Sequence, residues 1–196
     1  MIKVLIDNGH GVNTPGKCSP DRRILEYKWA REVAELLVKA LKAQGVGAER
    51  IVMEETDISL RERTRRVNTL CATNKDVILI SLHLNASGAD GKWHNASGWS
   101  GWVAPNASEK SKRLASLLLD EALSAGLKGN RAIPKEKYWV GNFAIVRDTK
   151  CPAVLTENLF QDNEGDCKML ESAEGKQKIV TIHVNAIKKY IDAYGG

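Results

Sequence analysis

The sequence predicts an α/β sandwich: one domain, residues 1–196, in which helices flank a twisted, mostly parallel mixed sheet of about six strands. Short apolar and β-branched runs alternate along the chain with longer segments of helical periodicity, the pattern of a sheet covered by helices. Residues 77–82 (VILISL) are almost entirely apolar, which is typical of a central strand buried on both faces. A chain of 196 residues suffices for one ordinary domain with a sizeable core.

The expected elements follow from periodicity and turn residues. The first strand is expected at 2–6, where an apolar run leads into a turn-like segment. The first helix, about 22–44, places Val33, Leu37 and Leu41 on one face, and Gly45 ends it. Further strands are expected at 50–53, 77–82, 98–103, 143–147 and 153–156, further helices at 59–73, 108–124 and 174–190, and loops at 12–20 and 85–97.

The net charge of +5 and the pI near 9.0 favour a polyanionic partner, and both bacterial cell wall and nucleic acid qualify. The chain lacks the basic stripe interleaved with aromatic residues that nucleic-acid binders usually carry, so we expect no nucleic-acid partner. The arginines at 61, 63, 65 and 66 are typical of a solvated helix face.

No apolar run approaches the ~20 residues that span a bilayer, so we expect no membrane insertion. The first seven residues (MIKVLID) are typical of a strand rather than of a signal peptide, which predicts synthesis in the cytoplasm without an export signal. The four cysteines form no CxxC pair, which argues against a thiolate metal site and against a disulfide framework. We expect a monomer.

Polar side chains that can bind a metal or transfer a proton follow three of the expected strands. His10 follows the first strand, His83 follows the run 77–82, and Glu157 follows the strand at 153–156. In open α/β sheets, ligands bind in crevices at the carboxyl ends of strands. We therefore expect these three residues at one edge of the sheet.

Glu26 lies in register with the apolar stripe of the first helix, where a carboxylate is costly unless a positive charge meets it. A divalent cation would provide that charge. Two imidazoles and one carboxylate, with a fourth position open for water, form a recurring catalytic zinc set. Calcium and magnesium prefer oxygen ligands, whereas manganese, cobalt and iron(II) remain alternatives.

Five sequence segments, in this order, resemble the zinc-dependent N-acetylmuramoyl-L-alanine amidases, a family that includes cell-separation amidases and many phage endolysins. The resemblance extends from about residue 2 to residue 190. The segments are 7–11 (DNGHG), Glu26 on the first long helix, Leu60-x-x-Arg63-x-x-x-x-Asn68, 81–86 (SLHLNA) and 152–160 (PAVLTENLF).

The resemblance implies one catalytic amidase domain that cleaves the amide bond between N-acetylmuramic acid and L-alanine in peptidoglycan. It implies that His10, Glu26 and His83 bind one Zn²⁺ per chain, that Glu157 is the catalytic glutamate, and that Arg63 braces the fold. A water activated by the zinc would be the nucleophile. A phage or prophage endolysin and a bacterial autolysin are both compatible with it. Asn8 and Asn158 depart from the residues common in the family at their positions and could alter substrate contacts.

Two other classes of function stay open: a zinc peptidase acting on the stem peptide, and a non-catalytic module that binds the cell wall. Each site residue alone also has an ordinary structural explanation; a glutamate such as Glu26, for example, often complements a helix dipole. We assign neither His94 nor His183 to the metal. Trp93, Trp99 and Trp102 could stack on sugar rings or pack in the core.

Overall fold

The computed structural model describes residues 1–195, which form one six-stranded sheet between layers of helices. The strands are β1 Lys3–Asn8, β2 Ala48–Arg50, β3 Val77–Asn85, β4 Trp99–Val103, β5 Trp139–Val140 and β6 Ala153–Phe160; the helices are α1 Glu26–Ala43, α2 Leu60–Thr73, α3 Glu109–Ser124, α4 Ala144–Arg147, α5 Glu164–Glu171 and α6 Ala173–Tyr194. The strand order across the sheet is β2-β1-β3-β6-β4-β5. All neighbouring strands are parallel except β6 and β4. The predicted fold class, a mostly parallel mixed sheet flanked by helices, is confirmed.

Alternate residues of the central strands point to opposite faces of the sheet. On the first face, Val4 and Ile6 of β1 belong to the core that α1, α3 and α6 cover. On the second face, Leu5 packs in a smaller core with Val67 of α2 and Ile145 of α4. Because helices cover both faces of its amino-terminal half, β3 is apolar at successive positions.

The predicted strand at 143–147 is wrong, since Ala144–Arg147 form the short helix α4. The amide groups of Val146 and Arg147 donate to the carbonyl of Phe143, which closes one helical turn. Ile145 and Val146 are β-branched, but both are buried, and packing overrides their preference for strands. The two-residue strand β5 and the helix α5 were not predicted.

Two boundaries of the predicted elements also differ. Helix α1 begins at Glu26 rather than near residue 22, because the preceding residues form a turn in which the Ser19 amide donates to the Ile24 carbonyl at 2.9 Å. Arg22 lies in this turn with a left-handed φ of 62°. Strand β2 lies slightly earlier than the predicted 50–53.

Strands β3 and β6 are longer than predicted, so His83 and Glu157 lie within strands rather than after them. His83 is paired with Glu157, but Asn85 is paired with Phe160, so β6 has one extra residue between the two pairs. Leu159, in this β-bulge, has a left-handed φ of 72°. The bulge changes which face the following side chains reach.

Candidate metal centre and catalytic site

His10, Glu26 and His83 come from separate segments and meet at the carboxyl ends of β1 and β3. The Nδ1 atom of His83 lies 3.1 Å from Oε1 of Glu26, and Nε2 of His10 lies 3.4 Å from the same oxygen. The two imidazole rings are edge to face, with centroids 4.9 Å apart. One potential ligand atom from each residue lies within 4.8 Å of the other two, so the structure brings the predicted ligands together.

Glu26 is the first residue of α1, and its side chain is fully buried. Its Oε1 atom accepts a hydrogen bond from the Leu84 amide at 3.0 Å, and its Oε2 atom accepts one from Nε2 of Gln161 at 3.3 Å. An acidic residue in the first turn is favoured by the helix dipole, but the dipole does not require burial. The two histidines account for the burial, because they give the carboxylate partners that can carry positive charge.

Burial by itself would raise the pKa of Glu26, but hydrogen bonds from His10 and His83 and their charge lower it well below its usual range. Burial disfavours the protonated form of His83, but the hydrogen bond and charge of Glu26 raise its pKa overall. Glu26 is therefore ionised at neutral pH, the state in which a carboxylate binds a metal.

The segment Gly9-His10-Gly11 is shaped by close contacts on both sides of the histidine. A Cβ atom at position 9 would lie 2.3 Å from Cε1 of His83, and one at position 11 would lie 1.9 Å from the amide nitrogen of Asp57. Both glycines are therefore needed for close approach. His10 itself has a left-handed φ of 58°, which is uncommon for a residue with a side chain.

Two arginines hold the main chain of His10 in this conformation. Nη2 of Arg63 and Nη2 of Arg31 donate to the His10 carbonyl at 3.2 and 3.1 Å. Arg63 also donates to Oδ1 of Asp7 at 2.6 Å and to Oδ1 of Asp57 at 2.8 Å. Of the arginines at 61, 63, 65 and 66, Arg63 departs from the solvated helix face: it is only 2% exposed and lies beneath the His10 loop, where it braces the fold.

Glu157 lies on β6 between His83 of β3 and Ser100 of β4 in the registered pairs of the sheet. Burial raises the pKa of Glu157 to about 7, and the charge of His83 opposes this increase. Within residues 1–195, its Oε2 atom is buried and has no hydrogen-bond partner. A partly buried carboxyl group with one buried, unpaired oxygen and a pKa near neutrality is suited to proton transfer.

A cavity of about 430 Å³ adjoins the histidines on the α2 side. It gives a small substrate group access to the cluster from outside. Its lining residues are Asp7, Gly9, His10, Asp57, Ile58, Ser59, Leu60, Arg63 and His83.

His94 and His183 lie outside the cluster of His10, Glu26 and His83. Nε2 of His94 is 2.9 Å from Oδ1 of Asp90 in the loop before β4. His183 is buried on α6, with Nδ1 2.8 Å from the Ile179 carbonyl, and burial lowers its pKa to about 4. Trp99 is fully buried in the first-face core, where its indole N–H donates to Asn158.

Sequence reasoning missed two residues that support the cluster, Arg31 and Gln161. Arg31 lies on the helix that begins with Glu26. Its position in the sequence pattern of that helix does not indicate that its side chain reaches the His10 carbonyl. Gln161 is 135 positions from Glu26, and only the bulge in β6 brings the two side chains into contact. The segment 152–160 ends one residue before Gln161. It therefore points to this part of the chain, but nothing in it indicates that the Gln161 side chain contacts Glu26.

The family model described as N-acetylmuramoyl-L-alanine amidase matches residues 4–189, which is nearly the whole chain. The protein belongs to this amidase family. A sporulation-specific N-acetylmuramoyl-L-alanine amidase of Bacillus subtilis is 25% identical over 191 residues, which cover 96% of this chain and 68% of that relative. A probable cell wall amidase of Staphylococcus aureus, LytH, is also 25% identical, over 97% of this chain and 58% of its own length.

Solved amidase structures share the fold. The N-acetylmuramoyl-L-alanine amidase from Clostridium difficile 630 has a TM-score of 0.85 and 25% identity, and the match covers 99% of this chain and 98% of that one. The catalytic domain of CD27L, an endolysin targeting Clostridia difficile, has a TM-score of 0.75 and 22% identity, covering 96% and 98%.

This amidase is a peptidoglycan hydrolase that cleaves the amide bond between N-acetylmuramic acid and L-alanine. Its site of action is the cell wall. Each helix within residues 1–195 is too short or too polar to cross a membrane. The prediction of a cell-wall amidase is confirmed, and the zinc peptidase and the wall-binding module gain no support.

Proposed function

We propose that His10, Glu26 and His83 hold one zinc ion per chain and that Glu157 is the acid–base residue of the amidase reaction. The observation that carries this proposal is the meeting of two imidazole nitrogens and one fully buried carboxylate within 4.8 Å. We further propose that residues 1–196 form a single catalytic domain that acts as a monomer.

Zinc fits this donor set. Two neutral imidazoles and one carboxylate leave a fourth position open, which is typical of catalytic zinc sites. Leu84 and Gln161 donate to the two oxygens of Glu26 and fix its orientation, as groups behind a metal ligand commonly do. Bound there, zinc would supply a water molecule activated for attack at neutral pH and would polarise the scissile carbonyl.

Glu157 supports the proton transfers that hydrolysis requires. Its Oε2 atom would take a proton from the attacking water while the water oxygen bonds to the lactyl carbonyl carbon. The bond from this carbon to the nitrogen of L-alanine then breaks, and Oε2 returns the proton to that nitrogen. The products are a lactyl carboxylate on muramic acid and a stem peptide with a free L-alanine amino group. A pKa near 7 suits both steps at neutral pH.

The bond that is cut is tested by mass spectrometry of purified peptidoglycan after digestion. We expect stem peptides with a free amino-terminal L-alanine and intact glycan strands. New reducing sugar ends would indicate a glycosidase, and a new amino group inside the stem would indicate a peptidase; either result would contradict the amidase reaction.

The ligand set is tested by metal analysis of purified variants. Replacing His10, Glu26 or His83 with alanine should each lower zinc below about one per chain. His94→Ala is the matched control, since His94 lies outside the cluster, and it should keep its zinc. A Glu26→Ala protein that binds zinc as tightly as the unmodified protein would remove Glu26 from the ligand set.

The role of Glu157 is tested separately with Glu157→Gln, which keeps the shape and loses the basicity. This variant should fold and bind one zinc, while turnover falls by ~10²–10⁴-fold. Near-normal turnover would exclude Glu157 as the base. Loss of zinc would instead make Glu157 a ligand and contradict its assigned role.

A further inference from the structure

Three aromatic side chains form a cluster at the β4–β5 edge of the sheet. The ring centroids of Trp102 and Trp139 are 6.2 Å apart, and Phe143 lies edge to face against Trp102 with centroids 5.7 Å apart. A Cβ atom at Gly141 would lie 2.5 Å from Phe143 and 3.0 Å from Trp102, so only glycine permits this packing. We call Trp102, Trp139 and Phe143 the aromatic platform.

The aromatic platform is partly exposed. Phe143 is 36% exposed, and Val140 beside it is 56% exposed. Trp102 packs against the second-face core, whereas Trp139 is partly buried and packs against the first-face core at the edge of the sheet. Exposed apolar groups that cluster, rather than scatter, commonly mark a binding groove.

Trp102, the central ring of the aromatic platform, lies on the same face of the sheet as Glu157. Strands β4 and β6 are antiparallel, with Ser100 opposite Glu157 and Trp102 opposite Leu155. Residues two apart on a strand share a face, so Trp102 points to the side on which Glu157 lies. Strand geometry puts their Cα atoms roughly 8 Å apart. Nε1 of Trp102 donates to Oγ of Ser100 at 3.0 Å, which ties the platform to the residue opposite Glu157.

We propose that the aromatic platform binds the glycan strand of peptidoglycan by stacking the rings of its N-acetylated sugars on Trp139 and Phe143. The scissile amide is attached to a sugar of this strand. When that amide lies beside Glu157, the neighbouring pyranose rings therefore lie against the adjacent protein surface, which includes the platform. The platform has no charged side chain, which matches the uncharged sugar rings better than the ionised stem peptide. This inference rests on Glu157 as the acid–base residue.

The decisive variants are Trp139→Ala and Phe143→Ala. On long glycan polymers, each should raise KM about three- to tenfold, the size of one aromatic contact, with kcat unchanged. On a single soluble N-acetylmuramoyl peptide, kcat and KM should both stay the same, because that substrate has no neighbouring sugar. Trp139→Phe keeps an aromatic ring and should restore most of the affinity.

Tyr194→Ala is the matched control, because Tyr194 is 38% exposed, aromatic and located at the end of α6. It should leave KM for both substrates unchanged. Unfolding midpoints and zinc content, measured for every variant, identify those in which the fold or metal cluster has changed.

A direct binding measurement separates this inference from the catalytic assignment. Peptide-free oligomers of β-1,4-linked N-acetylglucosamine should change the tryptophan fluorescence, and Trp139→Ala should weaken their binding by the same factor as it raises KM. Equal oligomer binding by Trp139→Ala and the unmodified protein would overturn the proposal. So would an equal increase in KM on the glycan polymer and on the single muropeptide. Near-normal turnover by Glu157→Gln, with oligomer binding still weakened in Trp139→Ala, would refute the role of Glu157 but not sugar binding by the platform.

Discussion

Replacing Arg63 tests how the proposed metal site is built into the fold. Arg63 is almost fully buried and donates to five oxygens, those of Asp7, Asn8, His10, Asp57 and Ile58. Asp7 is itself only 1% exposed, and its other oxygen accepts a hydrogen bond from Ser81 at 2.6 Å. Arg63→Ala would therefore leave a buried carboxylate without its counter-charge.

Removing one partner of a buried ion pair costs about 3–5 kcal/mol, a large part of the stability of a typical domain. Arg63→Lys keeps the charge beside Asp7 but loses the planar fork that reaches several oxygens at once. We expect it to cost about 1–2 kcal/mol, the value of one or two lost hydrogen bonds. Because the His10 carbonyl then keeps only Arg31, zinc affinity should fall as well.

Urea unfolding of the metal-free proteins at pH 7 measures the stability losses, and competition with a chelator measures zinc affinity. Arg65→Ala is the control, because Arg65 is exposed and pairs with Glu62 on the surface; its unfolding midpoint should not change. A loss below about 1 kcal/mol for Arg63→Ala, the value of an exposed pair, would refute this reasoning. Unchanged zinc affinity in Arg63→Lys would show that Arg63 does not hold the His10 loop.

Three further outcomes are expected. Gly9→Ala should displace the His83 ring, because a Cβ atom at position 9 would lie 2.3 Å from it, and the zinc content should fall. Normal zinc content would show that the loop can move enough to accommodate the methyl group. The pKa of His183 is about 4 in the folded protein, against an ordinary value of 6.5. Between these pH values the unfolded state binds one more proton than the folded state, so the free energy of unfolding falls as the pH drops from 6.5 to 4. The total loss is roughly 3 kcal/mol. His183→Leu should flatten the dependence of the unfolding free energy on pH between 7 and 4, and an unchanged slope would exclude His183 as its source. Since the net charge is +5, binding to whole cell wall should weaken with salt while cleavage of a small muropeptide changes little; equal salt sensitivity would show that charge does not recruit the protein to the wall.

The elements predicted correctly are those whose apolar sequence pattern matches the faces that are buried in the folded protein. The run 77–82 is apolar because both sheet faces are covered there, and the stripe of α1 faces one core. The short helix α4 could not be predicted, because Ile145 and Val146 favour strands locally and only their packing decides the outcome.

The candidate site was predictable where its residues lie at or just beyond the carboxyl ends of recognisable strands. His10 and His83 were expected at one sheet edge, and Glu26 was anomalous within an apolar stripe. Arg31 left no such sign, because its guanidinium recognises a main-chain carbonyl, which any residue type could supply. The left-handed turn at His10 depends on contacts with distant segments, which no local pattern encodes.

The bulge in β6 reverses which positions of the strand point to each face of the sheet. Without the extra residue, side chains at odd positions from Glu157 onward would all share the second face. With it, Gln161 reaches Glu26 on the α1 side, while Glu157 stays on the opposite side. A substitution at Leu159 changes packing and backbone strain but not the number of residues in β6, whereas a one-residue deletion would turn Gln161 away from Glu26. Relatives that use this arrangement should therefore tolerate changes of residue type in this segment far better than changes of its length.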